Sequence, residues 1–324
     1  MNQREMQMVE LLGSNRAVVA KSFKLEVDTD IANAALVWTM AGRQATVEEM
    51  RANFDHLKRQ ASALSVERSM SKLALVSRMA LSGDGAAYLA EVQRIFGKIM
   101  EGKKMQTSSR FGAAMLIANS TRTPEEADRL LERSQGIFAR MSAEHPVITS
   151  DQDLMFAVIV AMSDRDDDEL LSDAEECYKL LGDGYKLTEG RQSMAHVLAL
   201  SPLAPAEKVA RVQQLRDALK QRKISVGWVS SQEYVTLALL ALDERPVAEI
   251  ADEMAELSKL IKKQKGFGSL SATAGIRLLY AATISMSARQ GDDSAEAISD
   301  AVSLAIAEAI LSRIVYMTVI IPIV

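Results

Sequence analysis

Residues 151–163 read DQDLMFAVIVAMS, and nearly every position after the opening acidic pair is apolar. Wound as a helix, such a stretch has no polar face, so it must be buried on most sides. The same kind of segment recurs along the chain as DIANAALVWTMAG, SKLALVSRMALSG, SSRFGAAMLIANS, GRQSMAHVLALSP, QEYVTLALLALDE and TAGIRLLYAATIS. Aligning the alanine near each end places Ala41, Ala80, Ala118, Ala161, Ala199, Ala241 and Ala282 at separations of 39, 38, 43, 38, 42 and 41 residues. A period near 40 held over seven segments is the mark of a repeat architecture.

Between these segments lie amphipathic ones, such as EEADRLLERSQGIFARM and AEIADEMAELSKLIKK. In the second, Ile250, Met254, Leu257 and Ile261 recur at helical spacing on one face. Pro124, Pro205 and Pro246 open amphipathic segments, where a missing N–H costs nothing. The unit is therefore a helical hairpin of about 40 residues, an amphipathic outer helix followed by an apolar inner one. A single hairpin cannot bury its inner helix, whereas a stack can. The pattern predicts an all-α, α-solenoid-like stack of about seven hairpins over residues 1–288. A closed α/α toroid is the rival arrangement. The open stack is preferred at this point, because toroid enzymes place carboxylates or aromatics on their inner helices and these are mostly apolar.

Residues 289–324 differ in character. They are expected to form a helix that caps the last hairpin, followed by the apolar tail IVYMTVIIPIV. Glu308 and Arg313 interrupt the apolar run, and each would cost about 2.5–3.5 kcal/mol in a bilayer, so no membrane anchor is expected. A homodimer contact through the tail is one use for it.

Composition narrows the function classes. The net charge of −5 disfavours a globally basic nucleic-acid binder. Cys177 is the only cysteine, so no internal disulfide can form, which fits the cytoplasm. Three histidines, without fixed spacing, make no metal motif, and no cofactor is expected. The acidic run DRDDDE (164–169) lacks the alternation of a calcium loop and suits a helix start. In KKQKGFGS (262–269) a helix precedes the glycines, so no phosphate-binding loop is expected.

Two candidate surfaces remain. The stretch EHPVITSDQD and the next inner segment bring His145, Asp151, Asp153, Arg191 and His196 to the junction of the fourth and fifth units. There histidine would act as acid or base and Arg191 would hold an anion. The second surface follows from charge. Outer segments begin acidic and end basic, so stacking would gather Lys103, Lys104, Lys220, Arg222, Lys223, Lys262, Lys263 and Lys265 on one edge. Complementing the helix dipole explains these charges locally, and an edge that docks an acidic partner is the functional reading.

AEHPVITSDQDLMFAVIVAMS, DGYKLTEGRQSMAHVLALS and LIKKQKGFGSLS together resemble a bacterial helical family catalogued as domain of unknown function 4003. The resemblance runs over at least residues ~20–290 and is most specific at His145-Pro146, Thr149-Ser150 and Lys263 to Gly268. It implies a bacterial, cytosolic, all-helical protein and no activity. The residues themselves point first to a non-enzymatic scaffold that binds a protein partner. An enzyme or small-molecule binder with its site between units four and five is the alternative.

Overall fold

The structure is a computed structural model that describes residues 2–62, 65–68, 72–147, 149–185, 188–224, 231–269 and 271–289. The expected capping helix and tail therefore lie outside the described residues, apart from Arg289. Fourteen α-helices and two single-turn 3-10 helices make up the described elements, with no strand among them. The helices pair as hairpins: α1 (Gln3–Ser22) with α2 (Asp28–Met40), α3 (Val47–Gln60) with α4 (Lys72–Leu81), and α5 (Gly85–Met100) with α6 (Ser108–Ser120). The fourth and fifth are α7 (Pro124–Glu144) with α8 (Asp153–Ala161) and α9 (Asp167–Leu181) with α10 (Thr188–Leu198). The last two are α11 (Pro205–Gln221) with α12 (Ser231–Ala241) and α13 (Val247–Lys263) with α14 (Ala274–Arg289).

The even-numbered helices form the inner layer. All nine residues of α8 are buried, and Trp38 on α2 is fully enclosed. The odd-numbered helices bury one stripe each. On α13 that stripe includes Ile250, Met254, Leu257 and Ile261, the spacing read from the sequence. Caps set the outer starts. Thr46, Thr123 and Asp166 each accept a backbone N–H from the first turn of the outer helix that follows, and Thr107 does the same for the inner helix α6. The acidic run at 164–169 is thus a helix cap: Asp166 takes the N–H groups of Asp168 and Glu169.

Arginines close the other ends of the inner helices, whose last carbonyls have no helical partner. Arg133 on α7 donates to the carbonyls of Ala161 (3.1 Å), Ser163 (2.7 Å) and Arg165 (2.8 Å) and pairs with Asp167 at 2.7 Å. Arg165 donates to the Ala199 and Ser201 carbonyls, and Arg211 to those of Ala241, Asp243 and Arg245. Each arginine ties an outer helix or turn to an inner helix end, and so fixes the pitch from unit to unit.

The two ends of the stack meet. Helices α1 and α2 pack on α13 and α14. Tyr280 donates to Asn33 Oδ1 at 2.7 Å, joining residues 247 positions apart. The helical stack is as expected, and the contacts give its closed form in place of the preferred open one. The reason is that a fully apolar inner helix at an end of the stack would face water. Closure gives α2 and α14 each other as neighbours.

The KKQKGFGS turn makes this closure possible. Gly266 has φ +85°, and a Cβ there would lie 1.8 Å from Arg16 Cζ. The Arg16 guanidinium of α1 lies over the Phe267 ring at 5.7 Å and pairs with Asp28 at 2.8 Å. Across the same seam a Cβ on Gly13 would lie 2.3 Å from Gln264 Oε1. Gly13 and Gly266 therefore permit close packing between the first and last units.

Gly266→Ala should lower stability by about 1–3 kcal/mol in urea denaturation, because it adds left-handed strain and displaces Arg16. The seam also titrates. Burial, reinforced by the Glu26 carboxylate and opposed by Lys72, raises the Asp30 carboxyl to about 7. A raised acid binds its proton more tightly when folded, so stability is lost as pH rises from the ordinary carboxylate range to about 7. Asp30→Asn should flatten that decline in melting temperature measured between pH 4 and 8.

Candidate functional site

Units four and five meet where α7 ends. His145 caps α7, its N–H bonded to the Met141 carbonyl at 3.0 Å. Thr149 folds back on the same carbonyl through Oγ1 at 3.1 Å, so the His145-Pro146 turn is held against the helix end. The His145 Nε2 lies 2.7 Å from Glu175 Oε2 on α9. Its ring lies 5.2 Å from that of Tyr178, one turn further along α9. Burial alone would raise the Glu175 carboxyl, but hydrogen bonds from His145 and Lys179 outweigh it and hold the group below its ordinary value.

From α10 come Gln192 and His196, which are 2% and 5% exposed. Gln192 donates its Nε2 to Thr149 Oγ1 at 3.0 Å. Its Oε1 has no hydrogen-bond partner among the described residues. Together Glu144, His145, Glu175, Tyr178, Gln192 and His196 line one small cavity over an apolar floor that includes Leu171 and Ala195. The space open to the centre of a water molecule is about 10 Å³, enough for one.

The structure thus brings His145 and His196 to one cavity and places Arg191 beside it. The Arg191 guanidinium stacks on Tyr178 at 4.1 Å and donates to the Tyr178 hydroxyl (2.6 Å) and the Gly182 carbonyl (2.8 Å). Those bonds tie α10 to α9. Asp151 turns the other way, to unit three, where it pairs with Arg110 at 2.8 Å and accepts from Thr107 at 3.1 Å. Asp153 is buried, and its Oδ2 accepts the Ser150 N–H at 2.8 Å. The sequence reading did not single out Glu175, Tyr178 or Gln192. Their spacing held a signal: Glu175 and Tyr178 are three apart on α9, and Gln192 and His196 four apart on α10, so each pair shares a face. Cys177, also on α9, is fully buried, and burial pushes its thiol up to about 12. It is a core side chain.

Because the hairpins are antiparallel, the described parts of the outer-to-inner turns share one edge. Lys103, Lys104, Lys220, Lys223, Lys262, Lys263 and Lys265 are exposed on that edge. Two of the expected basic residues have structural duties as well. Arg222 pairs with Asp252 at 2.6 Å, and Lys103 donates to the Ile99 carbonyl near the end of the preceding helix α5. The same edge carries Leu25, Val27, Met105, Val147 and Leu180, five of the seven large apolar side chains exposed among the described residues. Leu25 and Val147 are 99% and 94% exposed.

A family profile described as "Protein of unknown function (DUF4003)" matches residues 16–315. The chain belongs to this family. It is similar to the "Uncharacterized protein YeaA" of Bacillus subtilis (strain 168), with 27% identity over 170 residues. That match covers 51% of this chain and 50% of the relative, so the chain spans about half the length of the curated relative it matches. No solved structure matches. Among the described residues no helix is long and apolar enough to cross a membrane. Nor does any group of three or more histidine, cysteine or acidic side chains there converge as a metal site.

Asp151→Ala should cost about 1.5–3 kcal/mol in chemical denaturation, the range for a hydrogen bond to a charged group. The His145 and His196 ring signals in an NMR spectrum should stay in place, because Asp151 serves the neighbouring junction.

Proposed function

We propose that this DUF4003 protein is a non-catalytic cytoplasmic scaffold. Its outer-to-inner edge docks an acidic protein partner that carries apolar side chains. The observation that supports this reading is the gathering of exposed apolar tips and lysines on one edge. Val147, Met105 and Leu25 lose water contact only when something covers them, and each side chain fully buried contributes about 1.5–3 kcal/mol. The lysines around them supply steering toward an acidic surface and set which partner is admitted. The same charge makes the association salt-sensitive, since exposed charges are screened beyond about 8–10 Å at physiological ionic strength. The inner helices offer no comparable surface, being packed on one another.

Photo-crosslinking from position 147 or 105 in cells should trap one discrete partner of acidic composition. Lys262→Glu, Lys263→Glu and Lys265→Glu combined should reduce that adduct by about tenfold or more, as expected when several steering charges reverse sign. Adduct yield that is unchanged by this reversal, at low and moderate salt alike, would sink the docking reading.

A further inference from the structure

We infer that the cavity between units four and five is a socket for a primary ammonium group. This goes beyond the docking reading and does not depend on it. Three features of the cavity select the ligand. The first is the buried Gln192, which offers Oε1 as an acceptor with no partner among the described residues. A buried acceptor left unsatisfied costs about 1–3 kcal/mol, so the cavity favours a hydrogen-bond donor. An anion or a carbonyl would set acceptor against acceptor.

The second feature is charge. Glu144 and Glu175 line the cavity, and none of the described lining residues is a lysine or arginine. The Glu175 carboxylate is held in its charged form by His145 and Lys179. Lys179 reaches it at 3.1 Å, but its side chain is 69% exposed and free to yield that place to an incoming cation. A neutral hydroxyl would satisfy Gln192 and leave these carboxylates without gain. The third feature is size. Room for about one water-sized group admits a single-atom cationic head on a slim stem and rejects the planar guanidinium. An –NH3+ group has three donors, enough for Gln192 Oε1, Glu175 and one further acceptor. Tyr178 is already occupied by Arg191 stacking, so it serves as a fixed wall rather than a cation–π face.

The ammonium could be carried by a small free amine or by the tip of a lysine. The chain's three histidines allow a direct test, because His145 and His196 line the cavity and His56 lies on α3. With 15N-histidine protein, n-butylammonium chloride at constant ionic strength should shift the His145 and His196 ring signals saturably and leave His56 unmoved. Tetramethylammonium, which has no N–H, and butanol, which has no charge, should leave all three unmoved. Glu175→Gln, which keeps the shape of the wall, should weaken the response about tenfold. Gln192→Met should abolish it, with the unmoved His56 signal reporting that the fold is intact. In a parallel arm, Nα-acetyl-lysine N-methylamide should compete if a lysine tip can enter. A response to butylammonium alone assigns the socket to small free amines.

The inference is overturned if neither histidine responds up to about 100 mM butylammonium, a hundredfold above a millimolar Kd. An equal response to tetramethylammonium or butanol overturns it as well. Failure here leaves the crosslinking result untouched, and loss of the crosslink leaves this titration untouched.

Discussion

An inner helix with no polar face constrains everything else in this protein. Helix α8 is buried along its whole length, and α2 and α14 are nearly so. Such a helix needs apolar neighbours on every side, and a linear stack of identical hairpins always leaves two ends without one. Capping with polar terminal units is one answer. Closing the stack on itself is another, and it is the one taken by the described residues. The closure contacts are correspondingly specific. Tyr280 reaches Asn33, Arg16 lies over Phe267, and Gly13 and Gly266 remove the side chains that would hold the two ends apart.

Closure has an electrostatic cost that is concentrated at the seam. Glu5 and Glu253, on the first and seventh units, are both buried, at 1% and 8% exposure. Burial and the neighbouring Glu253 raise the Glu5 carboxyl, against the N–H of Asn2 and the positive amino terminus. Arg245 and Arg289 offset the acidic side of the cluster through Glu253 and Asp243. Elsewhere arginines do a different job, since Arg133, Arg165 and Arg211 satisfy the carbonyls at inner helix ends. Buried carbonyls without partners would be costly, so the arginines are part of what makes short, fully apolar helices tenable.

Inner helices buried along most of their described length leave the edges and the junctions between units as the more accessible places. The fourth junction differs in having a histidine at an outer helix end, facing the acidic Glu175 and the buried amide of Gln192. The surrounding edge is mostly basic and dotted with apolar tips.

Much of the architecture was legible in the residues alone. The 40-residue spacing of apolar segments, the prolines at outer helix starts and the acid-to-base gradient along α3, α9 and α13 are local properties, and local physics decides them; α5 starts without an acid in its first turn and α7 ends without a base in its last. So is the assignment of Asp153 to the start of α8 and of the 164–169 acids to a helix cap. Open against closed was not legible, because closure depends on the sum of small rotations between seven units and no single stretch encodes it. Gly266 of the KKQKGFGS turn reads as a turn signal, yet its reason lies in Arg16 as well, 250 residues away in the chain. The cavity was half legible. His145 and His196 were placed at one junction by the period of the repeat. That Asp151 turns to Arg110 was decided by how α6 meets α8, and that Arg191 is spent on Tyr178 while Glu175 and Gln192 take their places was decided by how α9 and α10 pack, which only tertiary contacts determine.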